Sequence, residues 1–328
     1  MNHIDILIEA PFRMRLATFS VPAESSAARV GVLCNDRMLD LLPCAAAVEP
    51  KEDAFPHSMR ALLEAGDAGL ARARRLFDMA ARDAALCGRH SYALEEIQFL
   101  PPVPDSEKFL CVGKNYRTHL AELKRTDLIK ELPEEPTGFI KLNACLVGQD
   151  AEVERPVDVV HLDYEPELVF VIGKPAHRAR REDAFDYVAG ITILNDLTCR
   201  DTQKREVASG SRFWTAKNAP GFGPLGPYLI TMDEVRDVYD IWVTCSVNGE
   251  ERMRVNTADQ IWKLPDIIEH FSRLLPLKPG DMFSTGAPGG VAVGKPNAEE
   301  LFLKPGDVVE CAFEEPAMAL RTRIVAAR

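Results

Sequence analysis

The sequence predicts an α+β fold that is mostly β, with a small N-terminal α/β domain over residues 1–100 and a larger second domain over 106–328. Three observations carry that prediction. Strand signals dominate the later part of the chain: two apolar runs, Leu168–Ile172 and Val188–Leu194, and a hairpin turn at Asn248-Gly249. Helical spacing is concentrated in one early stretch, Ser58–Ala85. Between these regions lies PPVPD, residues 101–105, whose prolines cannot continue regular structure.

Bulk composition narrows the function classes. With 328 residues the chain can bury a sizeable core, and 46% apolar with 27% charged residues is the balance of a soluble globular protein. A formal net charge of −11 argues against nucleic-acid binding, which wants a basic face. It leaves room for an anionic substrate, because a local cation cluster can override the global sign. The eight cysteines are scattered with no C-x-x-C pair, so free thiols in a reducing, cytoplasmic setting are expected. The N-terminal MNHIDILIEAPFRMRL has acids in its only apolar stretch and is not read as a signal peptide. No apolar run approaches membrane-spanning length, so no membrane partner is expected.

Taken in order, residues 13–41 read as a small β unit: MRLATFSV, then ARVGVLC, then a turn at Asn35-Asp36-Arg37 before MLDLL. From Ser58 to Ala85, Met59, Leu62, Leu63, Leu70, Leu76, Phe77 and Met79 recur at helical spacing. SYALEEIQFL is strand-like. Phe109–Val112 is a short buried-strand signal, Gly113 allows a sharp turn, and a polar helix is predicted from Tyr116 onward. His119 and Glu122 share a face of that helix, although spacing alone favours a solvated helix with a chance pair. The charged ELKRTDLIKELPEEP beyond it is expected to be a mobile lid.

The stretch KREVASGSRFWTAKNAPGFGPLGPYLI is rich in Gly and Pro, as loops around a site are. Lys217 is its notable cation, with an idle surface lysine an equal alternative. VTCSVNGEERMRV forms a hairpin, and Pro265 opens a helix with Ile267, Ile268, Phe271, Leu274 and Leu275 on one face. Two LKPGD pentapeptides, at 277–281 and 303–307, place Pro-Gly at a turn before a strand. STGAPGGVAVG lacks the phosphate-loop pattern, and no G-x-G-x-x-G follows a strand and opens a helix, so a nucleotide site is not supported.

The chemistry concentrates in Asp163–Gln203. Glu165 and Glu167 are two apart at the start of an apolar run, so in a strand both side chains point to one spot. Asp196 ends the second apolar run, and if the two runs are neighbours, three carboxylates meet. Glu-x-Glu alone is an ordinary solvated pattern. These acids, however, adjoin runs too apolar for a surface edge, where charges are rarely left unpaired. Three such groups need a shared cation, and hard oxygen donors suit Mg²⁺, Mn²⁺ or Ca²⁺ rather than zinc.

Several segments together resemble the fumarylacetoacetate hydrolase family: CVGKNYRTHLAE, FIK, DYEPELVFVIGK, NDLTCRDTQ, AKNAPGFGPLGP, VNGE and STGAPGGV, in family order across about 108–325. The resemblance implies a mixed β-roll catalytic domain, a homodimer, and Mg²⁺ or Mn²⁺ held by Glu165, Glu167 and Asp196, with Ca²⁺ able to fill the site in crystals. It implies that His119 and Glu122 form a water-activating lid dyad and that Lys217 reaches the substrate oxygens. It places Arg200, Gln203, Tyr116 and Thr285 at the substrate, a small 2-oxo or 2,4-dioxo acid.

Three departures stand out: Pro166 between the glutamates, Leu142-Asn143 after Lys141, and a longer lid over Leu123–Pro136. Pro166 lacks the amide donor, so its strand should be an edge or irregular there. The resemblance ranks C–C hydrolysis of an acylpyruvate- or fumarylacetoacetate-like substrate first. Decarboxylation, isomerisation or hydration of a 2-oxo or 2-hydroxymuconate-type diacid in aromatic catabolism is the alternative. A non-catalytic dicarboxylate-binding protein is the non-enzymatic one.

Overall fold

The computed structural model describes residues 13–125, 134–211 and 213–327. The N-terminal MNHIDILIEAPF and most of the expected lid lie outside the described residues. The chain opens with β1 (Arg15–Val21), β2 (Ser25–Cys34) and β3 (Arg37–Asp40). Four helices follow, α1 (Leu41–Val48), α2 (Met59–Glu64), α3 (Gly66–Arg82) and α4 (Ala84–Arg89), then the short strands β4 (Ser91–Ala93) and β5 (Gln98–Leu100). Asn35 and Asp36 both take positive φ, 49° and 58°, which matches a two-residue hairpin turn to strand twist. The helical stretch Ser58–Ala85 is not continuous. Gly66 at φ 61° breaks it, and Asp83 caps α4 by accepting from the amides of Ala85 and Leu86. Met79, expected on the apolar face, is 45% exposed, because the buried face of α3 runs Gly69, Ala73, Leu76, Phe77 and Ala80.

The second part contains β6 (Phe109–Gly113), α5 (Arg117–Arg125), β7 (Thr137–Ile140), β8 (Leu146–Val147), β9 (Ala151–Arg155) and β10 (Leu162–Asp163). Next come β11 (Pro166–Ile172), β12 (Val188–Asn195), β13 (Thr198–Cys199), α6 (Arg200–Ala208), β14 (Gly223–Pro224) and β15 (Leu229–Thr231). The chain closes with β16 (Trp242–Val247), β17 (Glu250–Asn256), α7 (Leu264–Ser272), β18 (Met282–Ser284), α8 (Ala298–Leu301), β19 (Val308–Phe313) and β20 (Met318–Ala326). The Asn248-Gly249 hairpin joins β16 to β17, with φ 54° and 81°. Gly280 and Gly306, the glycines of the two LKPGD turns, take φ 88° and 102°.

Three local expectations are corrected. The left-handed residue after β6 is Lys114, φ 61°, not Gly113. KREVA continues α6 rather than opening a loop. Finally, α7 ends at Ser272, so Leu274 is 86% exposed and off its apolar face.

An 11-stranded mixed sheet runs β4-β3-β2-β1-β15-β12-β11-β18-β6-β7, with β5 beside β1, and a 5-stranded sheet runs β17-β16-β19-β20-β9. The N-terminal strands therefore continue the large sheet through the β1–β15 pairing. Every residue of β11 is buried because both of its faces are covered. Leu168, Phe170 and Ile172 enter the core shared with Val243, Val309, Phe313 and Leu320 of the smaller sheet. Val169 and Val171 enter the core beneath Leu62, Leu63, Leu76 and Phe77. Pro166 fits because it is the first residue of β11: it faces Asn195 on β12, while pairing with β18 begins only at Val169.

His161 ties α6 to α8, with Nδ1 2.6 Å from Asp201 Oδ1 and Nε2 3.0 Å from Glu299 Oε2. The Asp201 bond raises the His161 pKa above its ordinary value of 6.5, against partial burial, with Glu299 adding to it. A raised folded-state pKa means that the contribution is complete below about 6.5 and is lost as pH rises through the folded value. The urea midpoint gap between wild type and His161→Gln is therefore expected to be widest near pH 6 and to close at higher pH. A gap that is constant with pH would refute the charged tie.

Candidate metal and active site

The pairing of β11 with β12 sets Pro166 opposite Asn195, which brings the residues just outside, Glu165 and Asp196, together. Asp196 N donates to Glu165 O at 2.8 Å, and Glu165 N donates to Asn195 Oδ1 at 3.0 Å. With Glu167 on the same side of the pleat, the three acids each place a carboxylate oxygen within 4.8 Å of the others, and all three are buried.

Their environments differ. Burial would raise the Glu165 pKa, but Lys217 and Arg200 outweigh it and hold the group at about 2. Glu167 is pushed well above the ordinary carboxylate range by burial, then by the charges of Asp196 and Glu165. Ser284 Oγ donates to it, and no cationic side chain pairs with it among the described residues. Around the trio, four buried carboxylates (Asp163, Glu165, Glu167 and Asp196) face three buried cations (Lys141, Arg200 and Lys217). Hard donors with one uncompensated carboxylate fit a divalent cation of the Mg²⁺ or Mn²⁺ kind.

The cations are fixed by long-range contacts. Lys217 Nζ bonds Glu165 Oε2, Asp196 Oδ2 (2.5 Å) and Thr198 Oγ1 (2.8 Å). It also lies 5.3 Å from the ring centre of Phe139. Burial would lower its pKa, but Asp196, Glu165 and Glu167 raise it, so Lys217 stays charged. Arg200 Nε donates to Asp163 Oδ2 at 2.9 Å, its Nη1 donates to Gln203 Oε1 at 3.0 Å, and its Nη2 lies 2.7 Å from Glu165 Oε1. Asp163 is in turn held by the amides of Ala292 and Val293.

On α5, His119 Nδ1 is 3.4 Å from Glu122 Oε2. Glu122 Oε1 accepts from the Gly290 amide at 2.8 Å. Gly294 completes the seat, since a Cβ there would stand 2.6 Å from the Glu122 carboxylate. Gly294→Ala is accordingly expected to keep the fold but shift Glu122, lowering turnover on the order of 10- to 100-fold. Wild-type turnover in that variant would show that the dyad geometry is irrelevant.

A cavity of about 440 Å³ is lined by His119, Glu165, Glu167, Arg200, Gln203 and Lys217 among others, while Asp196 and Glu122 stand outside its lining. Tyr116 and Thr285 do not line it. Both are fully buried, with Tyr116 Oη accepting from Gln260 Nε2 at 3.1 Å and lying 3.3 Å from Thr285 Oγ1. Three residues escaped the sequence reading. Lys141 Nζ donates to Asp196 Oδ1 at 2.7 Å and to the Lys217 and Phe222 carbonyls. Asp163 is the partner of Arg200. Asn115 clamps the carbonyls of Trp262 and Thr285. The only hints were their positions inside quoted motifs.

A model of the fumarylacetoacetate hydrolase C-terminal domain matches residues 108–325. The chain is 34% identical over 304 residues to oxaloacetate tautomerase fahd2, mitochondrial, of Xenopus laevis, covering 92% of this chain and 88% of that protein. It is 33% identical over 287 residues to oxaloacetate tautomerase YisK of Bacillus subtilis, covering 87% and 92%. Among solved structures, maleylpyruvate hydrolase from Sphingobium sp. SYK-6, in complex with manganese(II) and pyruvate, superposes with a TM-score of 0.71 at 25% identity. That match covers 96% of this chain and 100% of that one. No helix among the described residues is long and apolar enough to cross a membrane.

Proposed function

This chain belongs to the fumarylacetoacetate hydrolase family, and from that premise we propose that it interconverts the enol and keto forms of a four-carbon 2-oxo diacid of the oxaloacetate class. The observation that carries this reading is that His119, backed by Glu122, lines one cavity together with Glu165 and Glu167 of the carboxylate trio. Glu165, Glu167 and Asp196 would hold Mg²⁺ or Mn²⁺. When bound, the ion supplies Lewis acidity toward the oxygens of a 2-oxo acid.

The rest follows from the chain's own groups. With Nδ1 turned to Glu122, His119 keeps Nε2 for the substrate, and the carboxylate favours the tautomer whose Nε2 is basic. In ketonisation the basic Nε2 takes the proton from the enol oxygen and then delivers it to the adjacent carbon, and the reverse runs the same transfer backwards. A single oriented imidazole suffices for the carbon-bound proton, and no carbon–carbon bond breaks. Lys217 and Arg200, held charged, line the same cavity and would spread the charge that develops on the substrate oxygens. Gln203 is fixed against Arg200 and fills out the same wall.

Identity of about a third to two oxaloacetate tautomerases across most of the chain supports tautomerisation over the C–C hydrolysis expected from sequence. Hydrolysis of an acylpyruvate is the second reading, favoured by the maleylpyruvate hydrolase likeness. In that reading His119 would instead deprotonate a water. Enol-oxaloacetate and an acylpyruvate, assayed side by side with Mn²⁺ and an enzyme-free blank, separate the two. Accelerated ketonisation with an intact acylpyruvate supports tautomerisation. Acylpyruvate cleavage without accelerated ketonisation overturns it.

A further inference from the structure

The cavity face of α6 repeats at helical spacing: Arg200, Gln203, Lys204, Val207 and Ala208 all line it. The deeper cations are committed to protein carboxylates. Arg200 is bound by Asp163 and Glu165, and Lys217 by Glu165 and Asp196. Lys114, also in the lining, is engaged within the chain. Lys204 differs. It is exposed, and its ammonium has no hydrogen-bond or ion-pair partner among the described residues. On its other side it borders a smaller cavity of about 180 Å³, whose carboxylate, Glu299, is already held by His161.

We infer that Lys204 is a specificity-determining residue that receives the distal carboxylate of a 2-oxo diacid whose oxo-acid end lies against Arg200 and Lys217. This rests on the diacid reading above. Arg200 and Lys204 are separated by one helical step of i,i+4, about 6 Å of rise, on the order of the length of a four-carbon chain. A monoacid would leave the Lys204 ammonium in water and gain nothing from it. A diacid converts that solvated charge into a charge-assisted contact at the cavity mouth, where a chain of net charge −11 otherwise repels a dianion.

The test uses the full chain loaded with Mn²⁺ and two 2-hydroxy probes that lack an enolisable carbonyl: malate, a four-carbon diacid, and lactate, its monoacid counterpart. Calorimetric titration is expected to give wild-type protein a preference for malate of about tenfold. Lys204→Gln should lose that preference through weaker malate binding alone, and Lys204→Arg should restore it. Equal weakening of both probes, or unchanged malate affinity in Lys204→Gln, overturns the assignment. Oxaloacetate turnover is followed in parallel. If ketonisation is absent while the malate preference and its loss in Lys204→Gln hold, the tautomerase reading falls and the diacid anchor stands. If ketonisation is present and Lys204→Gln alters neither KM nor malate affinity, the anchor falls and the tautomerase reading stands.

Discussion

Replacing His119 with alanine is expected to lower kcat by about 10²- to 10⁴-fold, the usual worth of a positioned general acid or base, while Mn²⁺ binding is retained. The expectation follows from separation of duties. His119 lines the cavity with Nδ1 toward Glu122, whereas the oxygens that would hold the ion belong to Glu165, Glu167 and Asp196 at the strand ends. Glu122→Gln should give a smaller loss, because the imidazole stays in place but loses the carboxylate that fixes its tautomer. Steady-state ketonisation rates, with Mn²⁺ affinity measured by calorimetry on the same samples, check both. Unchanged turnover in His119→Ala would remove the imidazole from the reaction under either reading, tautomerisation or hydrolysis.

Replacing Lys217 with methionine is expected to have the largest effect on stability. The ammonium is buried and binds Glu165 and Asp196 at once, so its loss leaves two buried carboxylates without their shared cation. Breaking a buried pair from one side costs about 3–5 kcal/mol. In urea titrations with EDTA the variant should unfold at a markedly lower midpoint. Added Mn²⁺ should recover much of that loss, because a divalent cation bound only to the folded form stabilises it by mass action. Equal midpoints for wild type and variant in EDTA would mean that the carboxylates are satisfied some other way. A deficit that Mn²⁺ leaves untouched would mean that the three acids do not hold the ion.

Local pattern made much of this site legible, and distance hid the rest. The period of two along Glu165-Pro166-Glu167, the apolar runs behind the acids and the Asn248-Gly249 turn are properties of a few adjacent residues. They translate directly into β11, β12 and a hairpin. His119 and Glu122 were readable as a helical pair, but nothing local said how the pair is seated. That depends on Gly290 and Gly294, which a quite different loop lays against Glu122.

Lys141 is similar. It lies 55 residues from Asp196 in the chain, and only the folded sheet brings its ammonium to that carboxylate. Asp163 reads as an ordinary loop acid until the amides of Ala292 and Val293 and the guanidinium of Arg200 converge on it. The helix break at Gly66 and the exposure of Leu274 show the opposite limit: apolar spacing continued past the point where backbone conformation ended the helix.

The most direct test of the metal-centred account is ketonisation of enol-oxaloacetate by protein stripped with EDTA and then titrated with Mg²⁺ or Mn²⁺, alongside Glu167→Gln. Catalysis above the enzyme-free blank should vanish on stripping and return with either ion in wild type. It should fail to return in Glu167→Gln, which removes the one carboxylate of the trio without a cationic partner. Full catalysis by the stripped wild-type protein, or full recovery in Glu167→Gln, would contradict the account.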